Sequence, residues 1–355
     1  MKVWSRFKRL RGVPWSFCRA CLLCLASWLA TSALAAPDKP ELPVLTISVP
    51  GPGALAFIPF DLIPRIGADR AEGVRVKLMH VDGGGAALNQ LTKHNVDFST
   101  VALPVFMSLR ANGGKVIALA AAANAPLYML AVRTDLKDKV RTVADLQGRV
   151  LGLPTSTLSS RSGPEQFLQL VLRSSGLASD AVRVIPAGLT AESNTALLQS
   201  ARVDAIMTEG AIASRLVAEG RVFPLLNFAD PAVLKKIPGA GFLHATLGTR
   251  EEVLRQQPEM AEKMVRVLLR SLAWIDSHTP VQLIDQLGIS NELQRKTLLA
   301  ALRSSPKLFS QDGKFSASQL KETEIFFQRA NEGNPAAQAV QLDSMIDARW
   351  VGRKP

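Results

Sequence analysis

The chain reads as an α/β protein of two lobes facing one cleft. One small unit occurs twice, about a hundred residues apart: Ala87-Leu-Asn-Gln-Leu-Thr-Lys-His-Asn-Val-Asp97-Phe-Ser-Thr100 and Ala196-Leu-Leu-Gln-Ser-Ala-Arg-Val-Asp204-Ala-Ile-Met-Thr208. In each, an apolar helical face ends at a polar break carrying Lys or Arg, Val-Asp opens a short apolar run, and a hydroxyl follows. Such a unit sets hydroxyls at the carboxyl end of a strand, where ligands bind in open α/β sheets. The chain also opens on a β-loop-α-β pattern, which is how such lobes begin.

In order, residues 44–49 form an apolar run ended by Pro50-Gly51-Pro52-Gly53, residues 54–66 carry a helical pattern, and residues 74–79 read as a second strand. Strands follow at 97–101, 116–121 and 127–133, with a helix at 103–111 stopped by Asn112-Gly113-Gly114. The charged stretch 134–141 marks the crossing to the second lobe. That lobe has strands at 150–153, 182–185, 203–207 and 222–226, and a helix at 164–175 whose Pro164 sits in the tolerated first turn. Residues 242–247 return as a strand to the first lobe. Thr249-Arg-Glu-Glu252 has capping-box spacing, and helices, one of them at 258–277, fill the remainder as scaffold packed on lobe one. The expected division is a leader at 1–35, lobe one at 36–133 plus 240–355, and lobe two at 134–239.

The first 35 residues read as a secretory signal. Lys2, Arg6, Lys8, Arg9, Arg11 and Arg19 form a basic region, residues 20–30 are apolar, and Ala33-Leu-Ala35 is a small-x-small cleavage site before Ala36. The other reading, a membrane anchor, needs about 20 apolar residues, more than the run provides. Cys18, Cys21 and Cys24 all lie in this leader, without the small-residue pattern of a lipoprotein signal, so the mature chain has no thiol, disulfide or thiolate metal site. The full chain carries a net charge of +12; cleavage leaves 36 Lys and Arg against 30 Asp and Glu, a net of +6. Those charges are dispersed and aromatic residues are only 6% of the chain, which argues against nucleic-acid binding. At 47% apolar residues the chain can bury a large core.

No catalytic motif is present: no His-Glu-x-x-His, Gly-x-Ser-x-Gly, P-loop or Gly-x-Gly-x-x-Gly, and the four histidines are scattered. No catalytic residue, metal or cofactor is expected. The candidates are ligand-holding loops. Gly51, Gly53 and Ala54, and Gly84 and Gly85, follow strands and precede helices, so backbone N–H groups can approach a polar ligand; the same loops read equally as tight turns. Pro154-Thr-Ser-Thr-Leu-Ser-Ser-Arg161-Ser-Gly163 joins a strand to a helix and offers Ser156, Thr157, Ser159 and the Arg161 guanidinium to an oxyanion, or else forms an N-cap cluster. Asn124 and Tyr128, the only tyrosine, lie where lobe one hands over to lobe two. Glu209 follows Thr208 and, facing a cleft, would prefer an amine or protonated ring; together with Arg161 it suits a zwitterion.

The run Asp145-Leu-Gln-Gly-Arg-Val-Leu-Gly-Leu-Pro-Thr-Ser, the Val-Asp-Phe-Ser strand after Leu88-Asn-Gln-Leu, and the Pro258-Glu-Met-Ala-Glu-Lys-Met-Val-Arg helix resemble the nitrate, sulfonate, taurine and thiamine-pyrimidine group of ABC-transporter periplasmic binding proteins. The resemblance covers residues 44–280. It implies the type II periplasmic binding protein fold, two α/β lobes joined by two crossovers with a cleft between them. It places ligand loops at 51–54, 83–85, 99–102 (with Ser99 and Thr100), 124–126, 156–160 and 208–210. Ile206 and Met207 stand where sulfonate binders of the group often carry an aromatic, and Glu209-Gly210 replaces a commoner polar-Pro ending, which sets the chain apart from typical alkanesulfonate specificity. The group's thiamine-pyrimidine enzymes depend on Cys and His that a cysteine-free mature chain lacks. The expectation is therefore a soluble, monomeric periplasmic protein that captures a small anionic or zwitterionic molecule by lobe closure and delivers it to an ABC permease and its ATPase; a ligand receptor for a sensor system and a secreted enzyme on the same fold are the alternatives.

Overall fold

The computed structural model describes residues 41–51, 53–155 and 163–352; the expected leader lies outside them. The strands are β1 (Val44–Pro50), β2 (Arg75–Val81), β3 (Phe98–Val101), β4 (Val116–Ala123), β5 (Tyr128–Arg133), β6 (Val150–Leu153), β7 (Arg183–Pro186), β8 (Ala205–Glu209), β9 (Val222–Asn227) and β10 (Ala245–Arg250). They form two five-stranded sheets with one topology, β2-β1-β3-β10-β4 and β7-β6-β8-β5-β9. In each, four strands run parallel to one another and the fifth is an antiparallel insert: β10 between β3 and β4, β5 between β8 and β9. Both chain crossings between sheets follow from these inserts.

The repeated Val-Asp unit has a physical cause. In lobe one the Asp97 N–H donates to Thr46 O, while Asp97 Oδ2 accepts from the Thr46 N–H (2.9 Å) and Thr46 Oγ1 (2.6 Å). In lobe two the Asp204 N–H donates to Val150 O, and Asp204 Oδ2 accepts from the Val150 N–H at 2.9 Å. Each Asp thus satisfies the backbone at the start of a neighbouring parallel strand, a role that needs a short carboxylate just before the strand.

Three expectations change. The strand at 127–133 belongs to the second sheet, so the chain crosses between Ala123 and Tyr128 rather than near 134; β5 is too apolar on both faces to sit anywhere but inside a sheet. The returning strand begins at Ala245 rather than 242, because Leu243 N–H donates to Thr323 Oγ1 and Phe242 packs on Phe326 at 4.1 Å before ladder pairing starts. Thr249 lies within β10 and its hydroxyl donates to Asp97 O, so it caps no helix.

The helices that matter for the site are α1 (Ile58–Ile66), α2 (Gly84–Thr92), α3 (Leu103–Ala111), α4 (Gly163–Ser174), α5 (Ala191–Gln199), α6 (Gly210–Ala218), α7 (Pro258–Ser277), α8 (Glu292–Ser304) and α9 (Ala317–Ala330). The amphipathic helix α7 buries Met264, Val267, Leu268 and Leu272 against the first sheet and α1. The C-terminal block is not confined to lobe one. Helix α9 packs on α4 of lobe two, with Phe326 and Phe167 rings 6.1 Å apart, and Arg173 Nη1 bonds Glu332 Oε2 at 2.9 Å. Helix α8 packs on α6 of lobe two. One core cluster runs from Ala118 and Phe242 through Phe326 and Phe167 to Leu151.

Candidate functional site: a cleft at the carboxyl ends of both sheets

A cleft of about 1220 Å³ opens between the sheets, lined from both. The N-termini of α2, α3, α4, α5 and α6 all lie at it, which turns the positive ends of the helix dipoles inward. Gly83 makes the turn into α2 at φ +88°, a conformation that favours glycine. Gly210, first in α6, donates its N–H to Leu127 O at 2.6 Å, and a Cβ there would stand 2.9 Å from that carbonyl.

The inner wall is aromatic and weakly polar. Tyr128 opposes Glu209 across the β5–β8 ladder and is 5% exposed; burial, with the Glu209 charge as a second cause, pushes its phenol well up. His244 stands edge-on to Tyr128 with ring centroids 5.1 Å apart, and also neighbours Phe57 and Phe242. Burial pulls its imidazolium down to about 4, so the ring is neutral at pH 7, and Nδ1 has no partner among the described residues. The Thr208 hydroxyl is likewise buried and without a partner among them.

Glu209 ends β8 and is the N-cap residue of α6, but its side chain does not cap that helix. Its Oε2 instead accepts the Leu55 N–H of lobe one at 3.2 Å. Burial raises its carboxyl above the usual range, and the Leu55 N–H works against that shift. Asp82 and Glu192 also line the cleft, and Arg215 is the one Lys or Arg among its described lining residues. Arg215 is held by Glu192 and Glu219, each at 2.9 Å.

Of the residues expected from sequence, Gly51, Gly53, Ala54, Gly84, Gly85, Tyr128, Thr208 and Glu209 line this cleft. Ser156, Thr157, Ser159 and Arg161 lie outside the described residues. Ser99, Thr100 and Asn124 line no part of the cleft. Ser99 is buried with its Oγ 2.9 Å from Ser48 Oγ, beneath α2, and Thr100 is buried within the first sheet. Asn124 Nδ2 donates to Lys307 O and Phe309 O while its Oδ1 accepts from Gln319, so it fastens the first crossing to the C-terminal segment. Sequence reasoning missed Leu55, which acts through its backbone, and His244, which precedes the strand it was assigned to. It also missed Asn291, Gln294 and Thr297, by which α8 lines the cleft. The amphipathic pattern of α8 showed a helix but not what that helix crosses. Among the described residues no three His, Cys, Asp or Glu side chains gather to hold a metal.

Two α/β sheets of matching topology closing on a cleft define a periplasmic-binding-protein fold, and solved structures share it. A protein from Bordetella bronchiseptica RB50 superposes with a TM-score of 0.77 at 20% identity, over 86% of this chain and 95% of that one. The alkanesulfonate-binding protein SsuA from Xanthomonas axonopodis pv. citri, bound to MOPS, gives 0.66 at 17% identity, over 87% and 100%. The periplasmic nitrate-binding protein NrtA from Synechocystis PCC 6803 gives 0.63 at 12%, over 87% of each chain. The NMT1/THI5-like family model matches residues 70–280, more than half of the sequence, and the chain belongs to that family. Comparison with curated proteins returns no match.

Proposed function

We propose that the protein is a periplasmic solute-binding protein, exported by its leader, that captures a small polar molecule between its lobes and passes it to an ABC permease and ATPase. One observation carries the reading: a single cleft is lined by the carboxyl ends of both sheets, and residues of both lobes, Leu55 and Glu209, already meet across it. A ligand that adds contacts to both lobes favours the closed arrangement by its differential affinity for that state. The converging helix N-termini favour a negatively polarised group on the ligand. Capture requires no covalent step.

The test is native mass spectrometry of the protein from Ala36 onward, freshly purified and again after partial unfolding and dialysis, with thermal shifts against sulfonates, nitrate, carboxylic acids and amino compounds. A bound mass that is lost on dialysis, or a rise in Tm of about 5 °C near a hundred times Kd, supports capture. Turnover of the bound compound by the purified protein would overturn it.

A further inference from the structure

We propose that the inner end of the cleft recognises a nitrogen that donates a hydrogen bond, with Glu209 Oε1 as the acceptor and Tyr128 and His244 as the ring wall beside it. The inference rests on the capture reading and narrows it: the ligand is a zwitterion or an amino-bearing molecule rather than a bare oxyanion such as nitrate or a simple sulfonate.

Three features of the site carry this. Glu209 lines the cleft and only one of its oxygens is used, Oε2 by the Leu55 N–H, so Oε1 is an acceptor without a protein partner among the described residues. Glu209 is half-buried, so Oε1 is open to the cleft, where a donor nitrogen on a ligand can reach it. No cation of the described lining supplies that donation, since Arg215 is tied to Glu192 and Glu219. Among the described lining residues the carboxylates of Asp82, Glu192 and Glu209 stand with one Arg, and an oxyanion brought against Glu209 itself would meet like charge. Beside Glu209, Tyr128 and a neutral His244 present ring surface rather than charge, which suits an ammonium or the N–H edge of a heterocycle. The unpartnered Thr208 hydroxyl, one residue before Glu209 and also lining the cleft, adds a neutral polar contact at the same end.

Matched probe pairs separate the possibilities: taurine against ethanesulfonate, β-alanine against propionate, and 4-aminopyridine against pyridine. Each is titrated by calorimetry and thermal shift into the mature protein and into Glu209→Gln, which keeps an oxygen for the Leu55 N–H. The expected result is that at least one nitrogen-bearing member binds at least about tenfold more tightly than its partner, and that Glu209→Gln abolishes the difference. The wild-type pairs alone decide the matter if the variant fails to fold. Equal or tighter binding of ethanesulfonate, propionate or nitrate would overturn the inference while leaving capture standing. Absence of binding by every nitrogen-bearing probe would also overturn it, and capture would then be judged separately by the mass of any copurified ligand.

Discussion

The Leu55 N–H donates to Glu209 Oε2 at 3.2 Å across 154 residues of sequence, joining a turn of lobe one to the last strand residue of lobe two. The bond makes the cleft's principal carboxylate part of its own closure.

Glu209→Ala should therefore loosen the lobes. Small-angle scattering of the unliganded mature protein should show a larger radius of gyration for the variant than for wild type, with unchanged far-UV circular dichroism. An identical radius would mean that the bond does not contribute to closure.

His244 should give stability a defined pH dependence. Its folded-state value, about 4, lies below the ordinary 6.5, so between these the unfolded chain binds the extra proton and stability falls as pH is lowered. The full effect is about 3 kcal/mol. Glu209, raised by burial, acts oppositely: its stabilisation is present below the usual carboxylate value and is lost as pH rises through its folded value. Urea melts of His244→Phe across pH 4 to 7 should show a flatter acid limb than wild type; an unchanged slope would place the titration elsewhere.

Asp97 and Asp204 should prove to be structural twins. Asp97→Ala and Asp204→Ala each strand a backbone N–H and should each cost about 1–3 kcal/mol in chemical denaturation. Neither should alter binding of any probe that wild type holds, because neither side chain lines the cleft.

Thr208→Val should separate stability from binding. Its hydroxyl has no partner among the described residues, so an isosteric methyl should leave the protein as stable as wild type or more so, within about 1 kcal/mol. Affinity for a probe that the wild type binds should fall. A marked loss of stability would reveal a hidden structural bond.

Gly239→Ala should be severe. At φ +98° the added Cβ would lie 2.7 Å from the Phe326 nitrogen, where the returning chain meets α9, and backbone cannot yield as a flexible side chain would. A drop in Tm of several degrees is expected; none would mean that α9 shifts freely.

The two-lobe architecture was legible because the repeated Val-Asp unit is a local pattern with one physical purpose in both lobes. Glu209, Tyr128 and the glycine turns were legible for the same reason, since each sits at a strand end fixed by nearby sequence. The assignment of β5 to the second sheet was not, because an apolar strand says nothing of its partners. His244, Leu55 and the bridging role of α8 also depend on contacts that only the closed topology creates. Asn124 looked like a ligand residue because its hydrogen-bond partners lie almost two hundred residues downstream.

The insertion of β10 between β3 and β4 also bears on how the molecule is assembled. Val101 pairs with Thr246, so the first sheet has an open seam until the chain has been made as far as residue 250. Until then β3 and β4 present unpaired strand edges, the kind of surface that draws other chains into sheet pairing. Acquisition of the native state is therefore a late and non-local event, slower than the helical content alone would suggest. Fragments ending before β10 should collapse or aggregate rather than fold as a separate lobe.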